Sequence, residues 1–325
     1  MHYSPIDLGR AEVTSAYPLN HFAHVSWKAT MYCTVVSNPS SPSIHLVSPD
    51  VADLWFASRL LAVMALALAG IAPSHAQAPP SLGSRLDRVI EAKVLRVCIW
   101  PDYYGITYRN PRTQLLSGID VDLAQELARD LGGQVKVQFI DSSFAKLIDD
   151  VVLDRCDIAM FAVGITAARA EKLRFTQPHL KSDIFAITTQ SNRRIKEWAD
   201  IDKPGVVVAV AKGTYHEPIM RERLKNATLV APATPFAREQ EVESGRADVF
   251  MTDYPYSQRM LANTDWARLI TPPSTFHMTS YGYAMKPGDD RWFNRVERFM
   301  GDIKRDGRLL AAAQRQKLEF IVAKD

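Results

Sequence analysis

From residue 94 onward, runs of hydrophobic residues typical of buried strands alternate with segments whose apolar residues recur at helical spacing. The apolar runs are almost continuous, which is the pattern of strands covered on both faces, as in a parallel sheet. We expect Asp120 to cap the first helix and Gly132 to end it. The strands are predicted at 94–100 (VLRVCIW), 135–140 (VKVQFI) and 156–163 (CDIAMFAV), and the helices at 118–133 and 142–155.

A second set of the same kind follows. The segment "RCDIAMFAVG" of the first set resembles "GRADVFMTD" of the second, and each comes directly after a predicted helix. Alternating strands and helices indicate an α/β protein, and the repeated order predicts two lobes of similar plan. The second set has strands at 205–210, 228–232 and 247–252 and helices at 216–224 and 236–246. A further strand near 281 and a long helix broken near Gly307 complete the chain.

The N-terminal part has the features of an export signal. Arg59 precedes the apolar run 60–72, and a small-residue site ends at Ala76. We expect cleavage near Ala76. Because a signal peptide stands at the N-terminus of a precursor and this one starts near residue 51, our hypothesis is that translation starts at Val51 or Leu54, after residues 1–50.

Composition narrows the function classes. The chain has 325 residues, enough for two domains, and a net charge of only +3 with no basic stripe, which argues against nucleic acid as a partner. No G-x-S-x-G, H-E-x-x-H, C-x-x-C or P-loop motif occurs, and we predict no metal and no cofactor. Cys98 and Cys156 remain after cleavage, either as a disulfide or as two buried thiols.

Two charged residues follow equivalent strands of the two sets. Thr166 can cap a short helix that carries Arg169, whereas the strand of the second set ends at Asp253. Ligands of open α/β sheets bind beyond the carboxyl ends of the strands. Arg169 and Asp253 could together hold a carboxylate and an ammonium group; each alone is more often a surface or a capping residue.

The ordered segments "LRVCIWPDYYG", "SGIDVDLAQELARDLG", "RCDIAMFAVGITAAR", "AVAKGTYHEPIM" and "GRADVFMTDYP" resemble the periplasmic solute-binding proteins of polar-amino-acid ABC transporters over about residues 93–320. The resemblance implies the type II periplasmic binding protein fold, with two parallel-rich sheets joined by two hinge strands. Lobe 1 would comprise 77–180 and 282–325, lobe 2 would comprise 184–276, and the hinges would lie near 179–183 and 277–281. It also implies a periplasmic, monomeric protein that delivers its ligand to a membrane permease.

The resemblance also assigns the ligand-binding residues. Arg169 would bind the ligand carboxylate and Asp253 its ammonium group. The other positions matching the family's site are Tyr103, Phe144, Ala162, Gly164, Gly213, Thr214 and Tyr215. The family plan places the first and third strands side by side, which makes a Cys98–Cys156 disulfide plausible.

Two positions depart from the family pattern. Trp100 stands where an acid is frequent, and Gly164 where a hydroxyl residue is frequent. With Tyr103, Phe144 and Phe161, Trp100 would line the pocket with rings, which favours an amino-acid-like ligand that is aromatic or apolar.

The resemblance leaves two other functions open. The protein could serve a sensor or a quinoprotein dehydrogenase instead of a permease. It could also resemble the periplasmic cyclohexadienyl dehydratases, for which Glu217 and Asp102 are the nearby candidate acids. Our primary expectation is a binding protein rather than an enzyme.

Overall fold

The computed structural model describes residues 83–234 and 236–324. The predicted leader and signal peptide, 1–76, lie outside these residues. Within the described part of the chain, no helix is long and apolar enough to cross a membrane.

Two sheets and a small third one organise the described residues, and helices connect their strands. The strands are β1 Val94–Ile99, β2 Asp102–Tyr103, β3 Thr107–Arg109, β4 Leu116–Ser117, β5 Lys136–Asp141, β6 Ile158–Gly164, β7 Arg174–Phe175, β8 Leu180–Ser182, β9 Ile184–Thr189, β10 Val207–Ala209, β11 Thr228–Val230, β12 Val249–Asp253, β13 Ala267–Ile270 and β14 Thr279–Met285. The helices are α1 Arg85–Ala92, α2 Ile119–Leu131, α3 Leu147–Val152, α4 Ala167–Ala170, α5 His216–Arg223, α6 Ala237–Glu243, α7 Tyr254–Asn263, α8 Asp290–Arg305 and α9 Arg308–Arg315.

The first sheet has the order β5-β1-β6-β14-β7, and β8 also pairs with β14. The strands β5, β1 and β6 run parallel, whereas β14 is antiparallel to β6. All seven residues of β6 are buried because both faces of the sheet are covered. We call the body built on this sheet lobe 1.

The second sheet has the order β11-β10-β12-β9-β13 and forms lobe 2. Its strands β11, β10 and β12 are parallel, and β9 and β13 run antiparallel to them. The strand before Arg169, β6, and the strand that ends at Asp253, β12, thus occupy similar positions. Each has a parallel neighbour on one side and an antiparallel neighbour on the other.

The chain passes from lobe 1 to lobe 2 between β8 and β9, and returns between β13 and β14. Asp183 links the two crossings, because its carboxylate accepts hydrogen bonds from the backbone N–H groups of Phe276 (2.8 Å) and His277 (2.6 Å). The predicted hinges, 179–183 and 277–281, overlap these crossings and also include residues of β8 and β14. Their role as hinges stays a prediction.

The beginning of α2 differs from the prediction. Gly118, with φ of +134°, is the residue before the helix, and Asp120 lies in its first turn rather than at its cap. The buried Asp120 carboxylate instead accepts hydrogen bonds from the Ala162 N–H (2.6 Å) and the Tyr283 hydroxyl (2.8 Å), and contacts His179 Nε2 at 3.1 Å. Asp120 therefore ties α2 to β6 and β14.

Cys98 on β1 and Cys156 just before β6 form a disulfide, with their Cα atoms 5.6 Å apart. Both residues are buried. The bond fastens two neighbouring strands of lobe 1, as the family plan implies.

Candidate functional site

Arg169 lies where the two lobes meet. Thr166 caps α4 by accepting a hydrogen bond from the Arg169 N–H, and this turn directs the guanidinium toward the end of β6. Its Nη1 donates to the Gly164 carbonyl of lobe 1 at 2.8 Å, and its Nη2 donates to the Gly213 carbonyl of lobe 2 at 2.9 Å. Burial lowers the pKa of Arg169 to about 10, so the side chain stays cationic at neutral pH.

Asp253 ends β12 and caps α7, where its Oδ1 accepts a hydrogen bond from the Tyr256 N–H at 3.2 Å. Capping and charge placement thus coincide in one side chain, which is only 2% exposed. Its Oδ2 accepts hydrogen bonds from the hydroxyls of Tyr281 (2.8 Å) and Tyr103. Burial raises the pKa of Asp253, and the hydrogen bonds from the two tyrosines oppose that rise.

Three tyrosine hydroxyls gather between the two charged residues. The Tyr215 hydroxyl lies 3.0 Å from that of Tyr281, which in turn donates to Asp253. Burial raises the pKa of Tyr103, Tyr215 and Tyr281 well above its ordinary value. All three hydroxyls therefore keep their protons and act as neutral hydrogen-bonding groups.

Aromatic rings from both lobes enclose this region. Trp100 of lobe 1 stacks on Tyr256 of lobe 2, with ring centroids 6.0 Å apart and planes 8° apart. Phe144 contacts Trp100 and Tyr103 edge to face, and the Arg169 guanidinium carbon lies 5.5 Å from its ring centroid. These rings exclude water from the charged groups, which strengthens any ion pair formed there.

Two of the cavities in the described part of the chain lie between the lobes. The larger has a volume of about 60 Å³ and is lined from lobe 1 by Trp100 and Phe144 and from lobe 2 by Thr214, Arg238 and Glu239. The smaller, about 10 Å³, reaches Asp253. Arg169 borders neither cavity, since its guanidinium is covered by the contacts with Gly164 and Gly213.

The structure brings most of the predicted residues together. Gly213 has φ of +80° and approaches lobe 1 so closely that a Cβ atom there would lie 2.6 Å from the Ala145 backbone. Ala162, with φ of +46°, gives its N–H to Asp120. The predicted residues that border one or both cavities are Trp100, Tyr103, Phe144, Thr214, Tyr215 and Asp253.

Phe161 lies apart from this group. It is fully buried in the cluster that contains the disulfide, with its ring 5.0 Å from that of Phe144, and it borders neither cavity. The structure therefore places Phe161 behind the site, as support for Phe144.

Neither of the two acids considered for catalysis lines the cavities. The Glu217 carboxylate accepts a hydrogen bond from the Gly213 N–H at 3.1 Å and pairs with Arg221. Asp102 belongs to the small sheet. Of the described residues, the carboxylates that border the two cavities are Asp253 and Glu239.

Five residues of the site were missed from the sequence. Tyr256 and Tyr281 flank Asp253. His216 borders the smaller cavity, and burial lowers its pKa well below the ordinary value, so its imidazole is neutral. Arg238 and Glu239 form a buried ion pair. The sequence shows Arg238 and Glu239 as adjacent opposite charges at the start of the helix before "GRAD", but nothing local marks the pair as buried.

Comparisons with known proteins agree with this architecture. The model of the bacterial extracellular solute-binding proteins, family 3, matches residues 95–316. A cyclohexadienyl dehydratase of Pseudomonas aeruginosa is 31% identical over 265 residues, which cover 81% of this chain and 94% of that protein. The L-cystine-binding protein TcyJ of Escherichia coli is 24% identical and covers 79% and 93% of the two chains.

A similar solved structure is that of the ancestral amino acid-binding protein AncCDT-1, described as a precursor of cyclohexadienyl dehydratase. It is 30% identical, has a TM-score of 0.65, and covers 72% of this chain and 99% of its own. The fold is the type II periplasmic binding protein fold, as predicted. The chain belongs to the bacterial extracellular solute-binding proteins, family 3.

Proposed function

We propose that this protein captures an amino-acid-like ligand between its two lobes outside the cytoplasm and delivers it to the permease of an ABC transporter. The observation that carries the proposal is the placement of opposite charges, Arg169 and Asp253, at equivalent strand ends of the two lobes, both buried where the lobes meet. A zwitterion with a carboxylate and an ammonium group matches this pair.

Ligand binding would replace contacts that the lobes now make with each other. Arg169 donates to Gly213 across the cleft, and the Tyr103 hydroxyl donates to Asp253. A ligand carboxylate would take the Arg169 donors in a bidentate arrangement, and an ammonium group would donate to Asp253. Because only a ligand that contacts both lobes stabilises the closed form, capture and closure are coupled.

Export and delivery rest on other observations. The segment 51–76 has the pattern of a secretory signal, and relatives include amino-acid-binding proteins of ABC transporters. A monomer suffices for the proposed binding, since one chain supplies both halves of the site.

A ligand screen tests the proposal. Thermal unfolding of the purified protein is measured with each α-amino acid and with its deaminated carboxylic acid, and hits are titrated by calorimetry. We expect some amino acids to raise the Tm and the matched acids to have a smaller effect. Failure of all amino acids to bind would contradict the proposal.

One observation favours a second function, a cyclohexadienyl dehydratase. The relative of that name is 31% identical across 94% of its length. In prephenate or arogenate, the ring carboxylate leaves as carbon dioxide, its bonding electrons expel the ring hydroxyl, and a general acid protonates that hydroxyl to water. Asp253, whose pKa is raised by burial, borders the smaller cavity and could supply the proton. Formation of phenylpyruvate from prephenate, lost in Asp253→Asn, would establish the enzyme; binding without turnover would establish the carrier.

A further inference from the structure

A second pair of opposite charges borders the larger cavity. Arg238 donates from Nε to Glu239 Oε1 at 2.6 Å and from Nη1 to the Met251 carbonyl at 3.1 Å. Its guanidinium carbon lies 4.3 Å from the ring centroid of Tyr256. Burial by itself lowers the pKa of Arg238, but the negative charge of Glu239 outweighs that effect and the pKa lies above its ordinary value. The pair is held in place by lobe 2 alone.

Glu239 has an unused hydrogen-bonding atom. The residue is 8% exposed, and its carboxylate interacts with Arg238 and with the Tyr256 hydroxyl, but no donor of the described residues lies within hydrogen-bonding geometry of its buried Oε2. A buried acceptor without a donor loses its hydration and gains nothing in return, so a donor brought by a ligand would be strongly favoured.

This carboxylate is close to the ligand site. The cavity that it borders shares Trp100, Thr214 and Arg238 with the smaller cavity that reaches Asp253. A ligand whose ammonium group is bound at Asp253 could therefore extend its side chain toward Glu239. Glu239 also borders an outer pocket of about 390 Å³, so the carboxylate lies between the ligand site and the surface.

Charge and size restrict the group that fits. Lys212 and Arg238 give the cavity two cationic residues against one anionic residue, Glu239, which disfavours a cationic side-chain end. A negatively charged side-chain end would be repelled by the Glu239 carboxylate. The volume of about 60 Å³ corresponds to roughly four water molecules, enough for a carboxamide or a hydroxyl.

We propose that Arg238 and Glu239 form the specificity subsite for the ligand side chain, and that this subsite selects amino acids whose side chains end in an uncharged hydrogen-bond donor. This inference rests on the proposed function, because it requires the ligand head group at Arg169 and Asp253.

Matched ligand pairs test the selectivity. Calorimetry compares glutamine with methionine, and tyrosine with phenylalanine, since the members of each pair are similar in size but only the first donates from its side-chain end. Glutamate and lysine serve as charged comparisons. We expect the donor to bind at least about tenfold more tightly in a pair that binds. Equal or tighter binding of methionine and phenylalanine would overturn the inference.

Two variants show whether Glu239 and Arg238 are responsible. Glu239→Gln leaves Arg238 uncompensated, so the affinity for glutamate relative to glutamine should rise about tenfold or more. The double variant Arg238→Met/Glu239→Leu removes both charges with apolar side chains of similar size, and its preference should shift to methionine and phenylalanine. Glu243→Gln, one turn further along α6 at an exposed residue, is the matched control and should change nothing.

The outcomes separate the two proposals. If no amino acid binds the wild type, the proposed function fails and the subsite fails with it. If amino acids bind and Arg169→Ala abolishes binding, while Glu239→Gln and the double variant leave every ligand ratio unchanged, the proposed function stands and the subsite is overturned.

Discussion

The two lobes share a plan but present opposite charges at the cleft. In lobe 1, β6 ends at Gly164, and the charge comes from Arg169, one turn into the short helix that follows. In lobe 2, the last residue of β12 is itself the charge, Asp253, and also caps the next helix. The strand–helix connection therefore determines where a functional group lies, and the residue chosen there determines its chemistry.

The lobes also differ in how they are stabilised. Lobe 1 has the Cys98–Cys156 disulfide and the buried Asp120 carboxylate that links α2, β6 and β14. Lobe 2 has no cysteine, and its buried ion pair, Arg238–Glu239, borders the cavity, whereas the buried pair of lobe 1, Arg85–Asp157, does not. We infer that lobe 1 is the more rigid frame and that lobe 2 contributes more of the ligand selectivity.

Reducing the disulfide should produce the largest effect on stability. The loop between Cys98 and Cys156 spans 58 positions, for which chain entropy gives a stabilisation of about 4 kcal/mol. We expect Cys98→Ser/Cys156→Ser to lower the free energy of unfolding by roughly that amount, with faster hydrogen exchange in lobe 1 than in lobe 2. Exchange that quickens equally in both lobes would contradict the asymmetry.

Arg169→Ala should cause the largest loss of binding. Removing one partner of a buried charge pair costs about 3 kcal/mol, which corresponds to a decrease in affinity of more than about a hundredfold. Arg169→Lys keeps the charge but loses the planar guanidinium, so its affinity should lie between those of the wild type and Arg169→Ala. Calorimetric affinities within a factor of about two of the wild type would disprove the role of Arg169.

Gly213→Ala should weaken closure. The added Cβ would lie 2.6 Å from the Ala145 backbone across the cleft, so affinity should fall about tenfold. Gly245→Ala is the matched control, because Gly245 has a similar φ of +75° with no atom within 4 Å of the added Cβ. Both variants should lose similar stability, and only Gly213→Ala should lose affinity; equal affinities would show that the Gly213 contact does not limit closure.

The pH dependence should show the smallest effect. Because burial raises the pKa of Asp253 above 3.8, affinity for an ammonium ligand should decline as pH falls through that raised value, and Asp253→Asn should remove the decline. For stability the sign is opposite: the raised pKa favours the folded state at low pH, and this contribution is lost as pH rises from 3.8 through the raised pKa. The Tm of Asp253→Asn minus the Tm of the wild type should therefore increase as the pH rises.

Much of the fold could be predicted because hydrophobic periodicity reports local structure. Seven strands of the two sheets (β1, β5, β6, β10, β11, β12 and β14) and the break of the last helix at Gly307 follow from it, whereas β7, β8, β9 and β13 were not predicted. The resemblance supplied the order of the lobes and the disulfide. Phe161 shows the limit: every residue of β6 is buried, so the sequence cannot tell which face of the strand meets the ligand.

The missed residues depend on contacts between distant parts of the chain. Asp120 was expected to cap a helix, yet its partners are His179 and Tyr283, which come from later elements. Arg238 and Glu239 look like ordinary helix residues until packing against Tyr256 places them beside the cavity. Burial of a charged pair is a tertiary property, and no local pattern reports it.

The central claim is that Asp253 binds the ammonium group of a ligand whose carboxylate is bound by Arg169. The most direct measurement is calorimetry of the wild type and Asp253→Asn with one bound amino acid and its deaminated acid. Asparagine caps a helix as well as aspartate does, so the fold should be retained. The account predicts that the variant loses affinity for the amino acid by about tenfold or more while its affinity for the deaminated acid is unchanged. Equal losses for both ligands, or none for either, would contradict it.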